Sequence, residues 1–196
     1  MTRVLAIDNG KTLGFALLVG ASASTGSLKV LENWWPLGEK ALTYERRVRA
    51  LILEQKPDVI GTAAQFVSRF TTTDNGVPLF WAFGAVLKLA AEMGIRSEII
   101  VEGEARKAIL GEKMPKGSEA KKRAVWQACL DRGWRCTNFD ASDALCIALA
   151  VQERLNPRRA HLTTPLFQAA PAPPQKGRNP DLLGKKRRKT ASSAPP

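Results

Sequence analysis

Three aspartates are spaced as an oxygen-donor metal site requires. Asp8 ends the apolar run Val4-Leu5-Ala6-Ile7, and Asp140 and Asp143 lie three apart at the head of an Ala- and Leu-rich stretch. Residues three apart on a helix project from neighbouring positions of one face, so these two can act together. Carboxylates at the end of a central strand and the start of a packed helix could jointly hold a hard divalent cation beside a phosphodiester. Structural readings compete. Asn9-Gly10 is a hairpin signal, in which Asp8 would serve the turn with a local side-chain-to-backbone hydrogen bond. An acid in the first turn of a helix caps free N–H groups and suits the dipole, which explains one of Asp140 and Asp143 better than both. The small residues of Asp140-Ala141-Ser142-Asp143-Ala144-Leu145 also let a second element come close.

Other chemistries have little to work with. The chain of 196 residues holds one histidine, His161, and three cysteines, Cys129, Cys136 and Cys146, without CxxC spacing. That argues against a zinc site and fits a reducing compartment, so a cytoplasmic location is expected. No apolar run approaches a membrane-spanning length, and the N-terminus lacks a secretory pattern, so no membrane partner is expected. Net charge of +12 suggests a polyanionic partner, most simply nucleic acid. From Arg158 onward there are nine Lys/Arg against one acid, Asp181, so eight of those charges lie in the tail and four in residues 1–157.

The elements that must position the aspartates follow from apolar periodicity and turn residues. Arg3–Ile7, Gly14–Val19 and Leu28–Trp35 read as a three-stranded meander, with Ala21–Ser27 a small-residue loop between the second and third strands. Thr43–Gln55 reads as a helix with Tyr44, Val48, Leu51 and Ile52 on one face. Val59–Phe66 is a fourth strand, Ser68–Pro78 a polar loop, and Leu79–Met93 a strongly apolar helix carrying Phe80, Trp81 and Phe83. Such a helix is buried on more than one side, in the core or in a subunit interface. Ile99–Val101 is a short fifth strand, Glu104–Leu110 a helical turn, Ser118–Arg132 a helix and Asp140–Leu155 the last helix. The plan is one domain over 1–157 and a basic, Pro/Ala/Ser-rich tail over 158–196, expected to be disordered. The fold class is mixed α/β: a five-stranded sheet of three antiparallel strands then two parallel ones, with the first strand central and helices on both faces.

Ala6-Ile7-Asp8-Asn9-Gly10 with Gly14-Phe15-Ala16 resembles the first motif of RuvC-type Holliday junction resolvases, in the RNase H-like superfamily. Asp140-Ala141-Ser142-Asp143-Ala144-Leu145 is similar to their last motif. Between them, Ala105-Arg106-Lys107-Ala108-Ile109-Leu110-Gly111 and Lys121-Lys122 resemble the basic segments with which the family holds DNA phosphate. The resemblance spans about Arg3 to Arg154, and the strand order is also that superfamily's. It implies an RNase H-like fold and structure-selective cleavage of Holliday junctions or other branched DNA. Four carboxylates would surround two Mg²⁺ or Mn²⁺ ions, with Asp8, Asp140 and Asp143 as catalytic ligands and no nucleotide cofactor. A two-fold symmetric four-way junction further implies a homodimer, with the Leu79–Met93 helix as candidate interface.

One position departs from the family. Its fourth strand carries a glutamate three residues before an aromatic, and anchoring on Phe66 puts Ala63 there. Glu102 or Glu104 after the fifth strand are the other acids that could substitute, and the expectation is that they do not. Ala63 should therefore impair metal binding and cleavage while leaving phosphate binding intact. Either a nuclease has been deliberately inactivated, the favoured explanation, or the natural protein has lost activity. The alternatives are a catalytically inactive junction-binding protein and an RNA-processing nuclease of the same fold. An actin-like or sugar-kinase-like ATPase fragment would need a second, similar domain for which 196 residues leave no room. For DNA contact the candidates are Lys11, Arg69, Phe70, Arg106, Lys107, Lys113, Lys116, Lys121 and Lys122. Phe70 beside Arg69 could stack on an unpaired base, although a partly buried loop Phe would look the same.

Overall fold

The run Val4-Leu5-Ala6-Ile7 is apolar at successive positions, the pattern of a strand covered on both faces. The computed structural model, which describes residues 1–10, 12–30, 36–65 and 73–156, places it at the centre of a five-stranded sheet of order β3-β2-β1-β4-β5. The strands are β1 (Arg3–Asp8), β2 (Thr12–Val19), β3 (Ser22–Lys29), β4 (Val59–Ala63) and β5 (Arg96–Ile100). β1, β2 and β3 pair antiparallel, while β4 runs parallel to β1 and β5 parallel to β4. The helices are α1 (Leu37–Gln55), α2 (Thr73–Glu92), α3 (Glu102–Leu110), α4 (Ser118–Asp131) and α5 (Phe139–Leu155).

Alternation along β1 sorts the core into two layers. Leu5 and Ile7 pack with Tyr44, Val48, Leu51 and Ile52 of α1 and with Val86 and Leu89 of α2. Val4 and Ala6 pack with Ala105 and Ile109 of α3, Val125 and Cys129 of α4, and most of α5. Helix α5 is buried nearly all round between the sheet and α3 and α4. Small residues permit this. A Cβ added to Gly61 of β4 would lie 2.7 Å from Val151 and 3.2 Å from Ile147, so α5 rests directly on that strand.

Several boundaries differ from the sequence reading. The third strand occupies Ser22–Lys29, the stretch read as a small-residue loop, and is paired along its whole length with β2. Residues 31–35 of the expected strand and the tail 158–196 lie outside the described residues. Helix α1 begins at Leu37, six residues ahead of Thr43, behind an N-cap Pro36 that makes no side-chain capping bond. Helix α2 begins at Thr73 and runs through Pro78, where a loop was expected. It is apolar on a broad face, yet Phe80 is 38% exposed, so it is not enclosed all round. Among the described residues no helix is long and apolar enough to cross a membrane.

Candidate active site

Asp8 is the last residue of β1 and is paired with Gly14 across the hairpin. The chain between them, 9–13, is too long for the two-residue Asn-Gly turn that the sequence suggested. Asn9 has a different duty. It is buried, accepts a hydrogen bond at Oδ1 from the Tyr44 hydroxyl, and donates from Nδ2 to Thr62 Oγ1 at 2.8 Å. The residue after Asp8 is thus fastened to both α1 and β4. Burial, and secondarily the charge of Asp8, hold the Tyr44 hydroxyl well above its ordinary pKa, so it stays a neutral donor.

The strand register explains why Asp8 and Ala63 share a site. β1 and β4 are paired through Ile7 and Thr62, and one further step sets Asp8 beside Ala63. By alternation Asp8 lies on the face of Val4 and Ala6, and Ala63 on that of Val59, the face covered by α5. The family's strand acid would point into the same space.

Helix α5 brings the other two aspartates. Asn138 is its N-cap, its side chain accepting from Ala141 N–H at 2.9 Å and donating to Ser27 Oγ at 2.9 Å. Capping therefore falls to Asn138, not to Asp140 or Asp143. Gly14 completes the placement, because a Cβ there would lie 2.1 Å from the Asp140 carbonyl oxygen. Only a glycine lets the first turn of α5 press against the β1–β2 hairpin.

A pocket of about 340 Å³ opens where these elements meet, lined among others by Asp8, Asn9, Ala63, Glu102, Arg106, Lys122 and Asp143. Burial raises the Asp8 carboxyl to about 7, with Asp143, Asp140 and Glu102 adding to the rise and Lys122 opposing it. Burial also raises Asp143, against the pull of Arg106 and Lys122. Asp140 does not line the pocket, although its charge reaches both other aspartates.

The remaining candidates divide. Arg106 and Lys122 lie in the pocket wall. Lys107 points to Glu112 at 2.5 Å, Lys113 and Lys116 are exposed, and Lys121 is partly buried; none of these four lines the pocket. Lys11, Arg69 and Phe70 lie outside the described residues. Glu104 bonds Arg154 at 2.6 Å, away from the site. Glu102, which the sequence did not expect to substitute for the strand glutamate, lines the pocket from the first position of α3, a helix that starts two residues earlier than the sequence suggested. Asn9 and Tyr44 were missed as site supports: Asn-Gly reads as a turn, and Tyr44 sits in an apolar helical stripe.

Among the described residues no three His, Cys, Asp or Glu side chains stand close enough together, as placed, to hold a metal ion. The donor chemistry nevertheless suits a hard divalent cation. Carboxylates converge on one opening, and their mutual repulsion in Asp8 is the kind that a bound cation relieves.

No family model matches the chain, and no curated protein matches it in sequence. Solved structures do match in shape. Thermus thermophilus RuvC in complex with a Holliday junction substrate is 22% identical, with a TM-score of 0.60 over 84% of this chain and 98% of that one. A second structure of Thermus thermophilus RuvC is 24% identical, with a TM-score of 0.57 over 76% and 92%. The yeast mitochondrial Holliday junction resolvase Ydc2 is 13% identical, with a TM-score of 0.52 over 82% and 84%. With its strand order and helical layers, the chain has the RuvC-type, RNase H-like fold.

Proposed function

We propose that this protein is a structure-selective endonuclease that resolves four-way or otherwise branched DNA by divalent-metal-dependent phosphodiester hydrolysis. The observation that carries the reading is the meeting of Asp8, Asp143, Arg106 and Lys122 in one pocket at the end of the two central strands. The likeness to RuvC bound to a Holliday junction supports the choice of substrate.

Asp8 and Asp143 would hold cations of the Mg²⁺ or Mn²⁺ class, with Asp140 nearby on α5. Such ions, when bound, supply an activated water and neutralise charge on the leaving oxygen. The chain's own residues do the rest. Arg106 and Lys122 orient a phosphate against the carboxylates and offset its charge. Asn9, held by Tyr44 and Thr62, fixes the end of β1 so that the Asp8 carboxylate is preorganised. Lys107, Lys113, Lys116 and Lys121 extend a positive surface along α3, α4 and their connection for the flanking backbone. A two-fold symmetric junction needs two such sites, so a homodimer is the expected assembly, with the exposed side of α2 around Phe80 as its contact.

Ala63 favours a second reading, a junction-binding protein without catalysis. Cleavage and binding of a four-way junction by the parent chain and by Ala63→Glu, in Mg²⁺, separate the two. The nuclease reading expects junction binding by both and Mg²⁺-dependent nicking by Ala63→Glu. Tight binding with no nicking by either leaves the binding reading alone.

A further inference from the structure

The pocket wall holds an acid where the strand face lacks one. Ala63 ends β4 beside Asp8, so β4 brings no carboxylate to the site. Glu102 opens α3 directly after β5 and lines the same pocket. As placed, it is engaged by Arg106, one helical turn on, with Nη2 to Oε1 at 2.5 Å.

Arg106 is unusual in its own right. It is only 9% exposed, a burial that arginine rarely reaches unless fully paired, and its Nε has no hydrogen-bond partner among the described residues. A buried guanidinium donor left unmatched in a pocket wall is costly, and it points to an anion that the pocket is built to receive. Glu102 differs from it. Its side chain is 64% exposed while that of Arg106 is 11% exposed, so the carboxylate can turn away at little desolvation cost while the guanidinium stays put.

We propose that Glu102 stands in for the missing strand carboxylate, and that its pair with Arg106 is a holding position which it leaves to ligate a divalent cation, freeing Arg106 for a phosphate oxygen of the DNA. The inference rests on the metal-dependent reading above. The exchange keeps every charge matched. Arg106 trades a carboxylate for a phosphate, both of which accept its forked donors, and Glu102 trades a guanidinium for a cation beside Asp8 and Asp143. It also accounts for the absence of three donors at ligating distance among the described residues, since the third is held back on α3. Ala63 then marks a carboxylate that has moved from β4 to α3, and the site keeps its donor count.

Calorimetric titration of the DNA-free full chain with Mn²⁺ tests this without reference to activity. The set is the parent, Asp8→Asn, Glu102→Gln, and Ala63→Glu alone and combined with Glu102→Gln. Glu102→Gln takes a charged partner from the buried Arg106 but keeps the side chain's length and an acceptor oxygen, so the urea midpoint of each variant is measured beside the titration and only folded protein is compared. The expected result is at least tenfold weaker Mn²⁺ binding in Glu102→Gln, recovered when Ala63→Glu is added. In EDTA, Glu102→Gln binds a four-way junction as tightly as the parent or more so, because Arg106 is released. Undiminished Mn²⁺ binding by Glu102→Gln, with loss in Asp8→Asn, overturns the role of Glu102 while the pocket remains a metal site. Absence of Mn²⁺ binding by the parent, or binding indifferent to Asp8→Asn, overturns the metal reading and this inference with it.

Discussion

The backbone of Gly14 lies so close to Asp140 that a Cβ on the glycine would stand 2.1 Å from the aspartate's carbonyl oxygen. Gly14 is also the strand partner of Asp8. One glycine therefore fixes the separation between the strand that carries the first aspartate and the helix that carries the other two. Backbone against backbone leaves no rotamer to yield. Gly14→Ala is expected to destabilise the fold by about 3 kcal/mol, at the upper end of the range for overpacking, and to weaken Mn²⁺ binding in whatever fraction stays folded. Urea unfolding with calorimetry checks both; an unchanged midpoint would mean that α5 can retreat freely.

The Tyr44–Asn9–Thr62 chain invites a subtler change. Tyr44→Phe removes only a hydroxyl, leaving Asn9 Oδ1 buried without its donor. A buried acceptor that loses its partner costs about 1–3 kcal/mol. The expected unfolding free energy drops by about 2 kcal/mol on that scale, with slower junction nicking as the end of β1 loosens. A change within the error of the urea midpoint would place the Asn9 carbonyl in contact with water.

Asn138 is the cap that frees the aspartates from capping. Asn138→Ala should cost about 1 kcal/mol, the usual value for losing such a cap, and somewhat more because the bond to Ser27 goes too. Asn138→Ser, which can still cap, should recover part of that loss. Equal stability of the two variants would show that the aspartates take over the N-terminal N–H groups.

Asp8 sets the expected pH dependence. Its carboxyl is raised from its ordinary value of 3.8 to about 7, by burial first and then by Asp143, Asp140 and Glu102. The folded state therefore holds a proton that the unfolded state releases, and stability falls as pH rises from about 4 to about 7. Asp143, also raised, adds in the same direction. Without divalent cation, the urea midpoint should decline across that window in the parent and decline less in Asp8→Asn. Saturating Mg²⁺ should flatten the decline, because the cation replaces the proton. A midpoint that rises over the same range, or a slope indifferent to Asp8→Asn, would contradict this electrostatic picture.

Much of this arrangement is legible in the sequence, for physical reasons that differ along the chain. The run Val4–Ile7 announces a doubly covered strand, and the spacing of Tyr44, Val48, Leu51 and Ile52 announces the face of α1; all of these are buried as expected. Asp8 and Asp143 converge on one pocket because a strand end and a helix start are fixed points of the topology. The edge strand Ser22–Lys29 escaped because its stability comes from backbone pairing with β2, and its small, half-exposed residues carry no apolar signature. The first turns of α2 escaped because Pro78 reads as a breaker, whereas the helix passes through it. The sequence names Glu102 only as an acid not expected to substitute, because whether it reaches the Asp8 pocket depends on where β5 ends and α3 starts, a boundary of one or two residues that composition does not settle.

The central claim is that the Asp8 pocket hydrolyses phosphodiesters at DNA branch points. The most direct measurement is the single-turnover nicking rate of a four-way junction in Mg²⁺ by the Ala63→Glu protein, with and without Asp8→Asn. The account predicts that Asp8→Asn lowers the rate at least a hundredfold, about 2.7 kcal/mol of transition-state stabilisation, while junction affinity in EDTA stays within twofold. Nicking that survives Asp8→Asn undiminished would place the chemistry outside this pocket and contradict the account.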